Sequence, residues 1–375
     1  MRIFVAASAA LLATTSIAAA DLARTDQSMR LLFEEVGPSG NYVELSFGSV
    51  RPEANPVSTN PGIGGLPNPL DNYTLPGLGF LHRVNEQVSF ALIYDQPFGA
   101  DVQYPGFATT IPAGLPFFGG NATVETDAVT LVGRYEFGNG FSIHAGARAL
   151  QASGSIYTSV VSPTFNQLTG SSDTGYGYLV GAAYEMPDIA LRVALTYSSA
   201  IEVGFDATEQ TLIDPETGTS VAPAASTSFE VEFPESLNLE FQTGVAQDTL
   251  LFGSIRHVWW DGFNLTTGAG EYVSFTSDST TYNIGIGRRF NENWSGSIAY
   301  THRTEGTIPS DSALAPTTGL DSITLAGQYS MDAMTISGGI TYGIPGDQVI
   351  ENASGPVNVR DNEVVAIGLR VGFRF

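Results

Sequence analysis

The last fifteen residues, DNEVVAIGLRVGFRF, alternate strictly, with Val365, Ile367, Leu369, Val371, Phe373 and Phe375 on one parity and Ala366, Gly368, Arg370, Gly372 and Arg374 on the other. Side chains of a β-strand point to opposite faces with period two, so this run presents one apolar face and one face of small and basic residues. Its length matches the roughly ten residues a tilted strand needs to cross a bilayer's hydrocarbon layer. A soluble edge strand shows the same alternation, so what constrains the fold is whether the pattern repeats.

It repeats along the whole chain, in about fourteen segments. They fall near 41–51, 72–83, 87–103, 122–137, 141–157, 174–185, 190–206, 225–243, 248–261, 271–289, 294–304, 319–330, 333–344 and 361–375. Outward faces are read at Val129, Leu131, Tyr135 and Phe137, at Tyr176, Tyr178, Val180 and Tyr184, and at Leu191, Val193, Leu195 and Tyr197, while small and polar residues fill the other parity. Short turns such as Gly138-Asn139-Gly140, Asn291-Glu292-Asn293 and Met331-Asp332 alternate with long connections near 52–71, 104–121, 158–173, 207–224, 262–270, 305–318 and 345–360. The pattern predicts an all-β fold, a transmembrane antiparallel β-barrel of about fourteen strands with short turns on the periplasmic side, long loops outside and no free sheet edge.

Residues 1–20 read as a signal peptide, with Arg2, an apolar stretch from Ile3 to Leu12, and Ala18 and Ala20 flanking a cleavage site. This predicts export to the bacterial outer membrane. Residues 21–40 precede the first strand and carry Met29, Leu31, Leu32 and Phe33 among charged neighbours. They are read either as a periplasmic tail or as a hatch or plug segment inserted into the barrel of residues 41–375.

Composition excludes several functions. With no cysteine, the chain has no disulfide, thiol nucleophile or cysteine-bound metal. A formal charge of −23, with no lysine and fifteen dispersed arginines, excludes nucleic acid as a partner, because phosphate binding needs a basic surface. Only His82, His144, His257 and His302 are available as catalytic bases, and none accompanies a nucleophile motif. No catalytic residue, metal site or cofactor is therefore expected.

Three segments stand out in order, SFALIYDQPFGADVQYPG at 89–106, FPESLNLEFQTGVAQDTLLFGSIRHVWWDGF at 233–263 and RRFNENWSGSIAYTHR at 288–303, followed by the terminal strand. Together they resemble the FadL-like long-chain fatty acid and hydrophobic compound transporters of the outer membrane. The resemblance covers roughly residues 41–375 in strand order. It implies a fourteen-stranded barrel blocked by an N-terminal hatch, taking a hydrophobic ligand such as a fatty acid from outside and releasing it sideways into outer-membrane lipid. The chain departs from the family at its front, where residues 21–40 are shorter than the usual hatch and lack its Asn-Pro-Ala element. The terminal Phe375 resembles the signal by which such barrels engage the barrel assembly machinery.

Candidate functional residues fall into three groups. A landing surface for ligand is read in the loop 104–121 at Phe107, Ile111, Leu115, Phe117 and Phe118, since exposed apolar patches mark binding surfaces; an inward-folded lid is the other reading. A lateral opening is read at Pro97, Phe98 and Gly99, because proline cannot donate to a ladder; the strand ending early is the other reading. A pocket is read from the plug residues together with inward-facing His144, Arg148 and Arg192, where an arginine either receives a ligand carboxylate or pairs with an inward acid such as Glu185, Glu230, Glu232 or Glu240. The competing functions are a general diffusion porin with a polar lumen and a barrel lipid hydrolase.

Overall fold

Alternation of this kind has a single stable solution when the apolar face must meet lipid, and the chain adopts it. The computed structural model describes residues 22–61, 64–104, 120–158, 165–214, 219–221, 223–306, 314–351 and 355–375. Fourteen antiparallel strands close into a barrel.

Strands β1 (Asn41–Ser58), β2 (Tyr73–Arg83), β3 (Val88–Asp95, resuming as Gly99–Gln103), β4 (Asn121–Glu136) and β5 (Phe141–Thr158) come first. Three interrupted strands follow: β6 (Phe165–Ser172 and Gly175–Met186), β7 (Leu191–Ser198 and Ile201–Asp214) and β8 (Ala225–Phe233 and Ser236–Ala246). The wall finishes with β9 (Thr249–Val258), β10 (Ser279–Arg289), β11 (Trp294–Arg303), β12 (Thr318–Ser330), β13 (Met334–Gly346) and β14 (Val357–Arg374). Closure is the long β1–β14 ladder, from Tyr42 opposite Arg374 to Ser58 opposite Val357. Its final rung is reciprocal, Phe375 N–H donating to Asn41 O at 3.1 Å and Asn41 N–H to Phe375 O at 3.2 Å.

The predicted outward faces are exposed, including Leu131, Ile143, Tyr176, Tyr178 and Val180 on the middle strands and Ile367, Leu369 and Phe373 on the last. This apolar belt is the surface that hydrocarbon solvates at no cost.

Several expected boundaries move. β6 begins at Phe165 and β7 runs to Asp214, inside stretches read as loops, because above the belt the outward residues meet water and the apolar alternation fades. The expected strand 271–289 starts only at Ser279; Gly270–Ser274 pairs instead with Asn264–Thr267 in a separate two-stranded hairpin. Glu230 and Glu232, read as inward acids, are exposed on the outer face, and Val231 and Phe233 turn inward.

That reversal belongs to a larger feature. A continuous strand keeps one parity inside, yet the buried residues run Ala91 then Phe98 on β3, Leu168 then Gly175 on β6, Thr196 then Ile201 on β7 and Phe233 then Ser236 on β8, all odd steps. On β3 the cause is a bulge: residues 96–98 face only 126 and 127 of β4, between the pairs Asp95–Ala128 and Gly99–Glu125. An extra residue reverses which side chains point inward. These interruptions form a seam across one side of the barrel, with polar inward residues below it and apolar ones above.

Candidate functional site

Below the seam the lumen is occupied by the N-terminal segment. Met29, Leu31 and Leu32, on a single turn of 3-10 helix (Arg30–Phe33), are buried against Tyr42, Leu81, Ala91, Val132 and Leu179 of the wall. Phe33 lies between two guanidiniums, Arg134 at 4.3 Å and Arg192 at 4.7 Å from its ring centroid. Arg134 also reaches Leu32 O at 3.2 Å and pairs with Glu185.

The polar residues of this segment are matched by inward side chains around the ring. Thr25 donates to Asp95 at 3.0 Å, and the Asp26 carbonyl accepts from Asn238 at 2.6 Å and Arg256 at 3.2 Å. Gln27 accepts from Arg148, Ser28 donates to Glu240, and Arg30 pairs with Glu34 and with Glu44, the latter at 2.5 Å. Burial alone would weaken the Arg30 guanidinium, but Glu44 and Glu34 more than offset it and hold it charged. Burial pushes the Asp26 carboxyl up, Glu240 adding in the same direction and Arg256 opposing.

Of the cationic residues singled out from the sequence, none faces open space. Arg148 is held by Gln27 and by Thr130 at 2.8 Å, and Arg192 is stacked on Phe33. His144 is buried with its Nε2 at 2.9 Å from the Thr196 hydroxyl. Arg148 and Arg192 belong to the seat of the N-terminal segment, whereas His144 bonds within the wall, and Arg134, which the sequence reading passed over, joins the seat through Leu32 O and Phe33.

Above the seam lies an apolar cavity of about 970 Å³, counting the part open to solvent. Its wall comes from the upper halves of the strands, with Ala100, Val124, Ile156, Leu168, Phe205, Phe229, Val231 and Phe233, and Leu22 of the N-terminal segment enters its lining. The Asn264–Thr267 and Gly270–Ser274 hairpin contributes Leu265 and Val273, and its flanks contribute Phe263 and Phe275. Ser153 and Ser274 supply the only polar side chains among the described lining residues, and no charged group is present there. Trp260 is fully buried beside it, edge-on to Phe98, Phe263 and Phe275 at 5.8, 5.3 and 5.3 Å. Such edge contacts add about 0.5–1.5 kcal/mol each beyond burial.

Glu209 of β7 holds the hairpin down, accepting from the Tyr272 hydroxyl at 2.7 Å and the Thr267 hydroxyl at 2.5 Å. Burial and the Glu209 carboxylate push the Tyr272 phenol up.

The bulge at Pro97, Phe98 and Gly99 sits where the two compartments meet. Phe98 points inward, 3% exposed, stacked on Phe233 at 4.9 Å. The β2–β3 ladder stops at Leu78–Tyr94 and resumes only as the bridge Leu70–Val102, with Asp71 N–H on Asp101 O at 3.1 Å. Residues 74–77 of β2 have ladder partners on β1 alone. The wall is interrupted there, and Pro76 and Pro97, neither with an N–H to leave unsatisfied, lie at its two margins. From inside, residues 22–24 run along the gap, Arg24 N–H donating to Pro97 O and Gly99 N–H to Leu22 O, both at 2.8 Å.

Phe107, Ile111, Leu115, Phe117 and Phe118 lie outside the described residues, as does the signal peptide. The sequence reading also missed the cavity lining. The odd spacing of Phe229, Val231 and Phe233 relative to Ser236 was the available signal, since it breaks the parity of a single strand.

A family model described as outer membrane protein transport protein (OMPP1/FadL/TodX) matches residues 53–344. Among solved structures, a FadL homologue of Pseudomonas aeruginosa superposes with a TM-score of 0.70 at 13% identity, covering 92% of each chain. The toluene transporter TodX of Pseudomonas putida gives 0.67 at 13% identity over 96% of this chain and 98% of its own. The toluene transporter TbuX of Ralstonia pickettii gives 0.62 at 13% identity over 93% and 94%. No curated protein matches the chain by sequence.

Proposed function

The chain belongs to the outer membrane protein transport family (OMPP1/FadL/TodX), whose members are channels for hydrophobic compounds in the bacterial outer membrane rather than enzymes, and from that premise we propose that its cargo is an uncharged hydrophobic molecule. The observation that carries this reading is the cavity above the seam, apolar throughout and without a counter-ion for a carboxylate. A bare carboxylate there would lose its hydration with nothing in return, a cost of several kcal/mol. The lumenal arginines that a fatty-acid head group would seek are engaged by Gln27, Thr130, Phe33 and Glu185. Long-chain fatty acids therefore enter as the weaker class, bound through the acyl chain with the head group left outside the cavity.

In the proposed cycle, ligand arrives from the external loops, occupies the cavity beneath the hairpin, and leaves sideways through the gap beside Pro97, Phe98 and Gly99 into membrane lipid. Residues 22–36 act as the plug. Cavity-lining Leu22 joins the two, because movement of the plug strand alters the cavity and the gap together. A general diffusion porin would need an open polar lumen, and the hydrogen bonds seating residues 25–30 argue against one.

Equilibrium binding of toluene and of palmitate to the purified protein tests the cargo class. Toluene should bind with more free energy per Å² of apolar surface buried than palmitate, and Phe229→Glu should abolish toluene binding while leaving the barrel folded. Tighter binding of palmitate through its carboxylate would overturn the assignment.

A further inference from the structure

The side chain of Arg24 crosses the gap between β2 and β3. Arg24 is 5% exposed, pairs with Asp101 on the upper half of β3, and lays its guanidinium over the Tyr73 ring of β2 at 4.3 Å from the centroid. It therefore ties together the two margins that the backbone ladder leaves unjoined. A Cβ at position 99 would collide with that guanidinium, so glycine at this point of the bulge makes room for the crossing. The tie is incomplete as well as central: Arg24 Nε is buried without a hydrogen-bond partner, so the guanidinium is held on one side by charge and on the other by a ring face.

We propose that Arg24 is a latch on this window, and that passage of cargo from the cavity into lipid requires the guanidinium to leave Asp101 and Tyr73. The proposal rests on lateral release of a hydrophobic cargo and names the side chain that controls it. Three placements support it. The cavity lining includes Leu22 and Ala100, so bound cargo adjoins the latch on the plug strand and on β3. The backbone bonds at Pro97 and Gly99 make Ala23 and Phe98 a non-hydrogen-bonded antiparallel pair, so the plug strand occupies the window as a short extra strand bonded to β3. Arg24 itself lies outside the cavity lining, so removing it changes the exit and not the chamber.

The experiment follows entry of N-phenyl-1-naphthylamine, a neutral aromatic fluorophore, into Gram-negative cells with an intact lipopolysaccharide layer that express the full chain. Arg24→Ala and Asp101→Asn should each raise the initial rate about tenfold, the lower end of the scale for losing one hydrogen bond to a charged group. Arg24→Lys, which keeps the charge but loses the planar stack, should fall between them and the parent. Equilibrium binding of the fluorophore to the purified proteins should agree within about twofold, and planar-bilayer conductance should stay at the parental level. In a second arm, Ala23→Cys with Phe98→Cys places the only two cysteines of the chain at a pair about 4.5 Å apart between Cα atoms, within disulfide reach. Oxidation should stop entry and reductant restore it.

Unchanged or slower entry in both single variants overturns the latch. So does a rise in conductance, which would make Arg24 an anchor of the plug in the lumen. Failure of the parent to admit the fluorophore above cells lacking it would instead overturn the transport reading beneath the proposal.

Discussion

Phe33 shows how a residue picked for its hydrophobicity can be placed by its charge environment. Flanked by Arg134 and Arg192, its ring meets two cations, contacts worth about 2 kcal/mol each when desolvated. An aspartate at 33 would find both guanidiniums waiting, whereas one at 32 would enter the apolar cluster of Met29, Leu81 and Leu179. Phe33→Asp should therefore leave the plug seated, and Leu32→Asp should dislodge it. Planar-bilayer conductance reads the difference directly, with the second variant alone conducting above the parental level; equal conductance in the two would remove the electrostatic account of the seat.

Among the elements, β3 carries the most consequence per residue. Its bulge turns Phe98 onto Phe233 and parts β3 from β2, and both effects follow from one surplus residue opposite β4. Deleting Gln96 should restore an uninterrupted ladder, with Phe98 opposite Thr126 and still facing inward, giving a barrel that still shows heat-modifiable migration but no longer delivers fluorophore to the membrane. Retained delivery would place the exit elsewhere. The strands themselves were legible in the sequence, since fourteen apolar faces in register with lipid leave a period-two trace, and Pro97 lies in the bulge of β3. The seam was harder to read. A parity slip shows only when both halves of a strand are assigned to one stave, and the polar upper halves of β6 and β7 resemble loops. The partners of Arg148 and Arg192 were beyond reach, because they come from a segment whose position inside the barrel no periodicity encodes.

For the whole molecule, closure depends on the first and last strands meeting. Asn41 and Phe375 exchange backbone hydrogen bonds, and the Phe375 ring stacks with that of Phe373 at 6.0 Å. We expect Phe375→Asp, and more so its deletion, to lower the folded fraction in the outer membrane severalfold while secretion continues, as band-shift on unheated gels would show. Full assembly of both variants would mean that the last rung and the terminal ring are dispensable. The seam has a separate consequence. The side chains around the cavity and those around residues 25–34 belong to opposite storeys of the same staves, and the two storeys meet at Leu22 and Ala23, so a mutation elsewhere upstairs leaves the contacts downstairs in place. On the proposed reading, preference for a particular molecule can thus be changed in the upper storey while the seat of the N-terminal segment stays as it was.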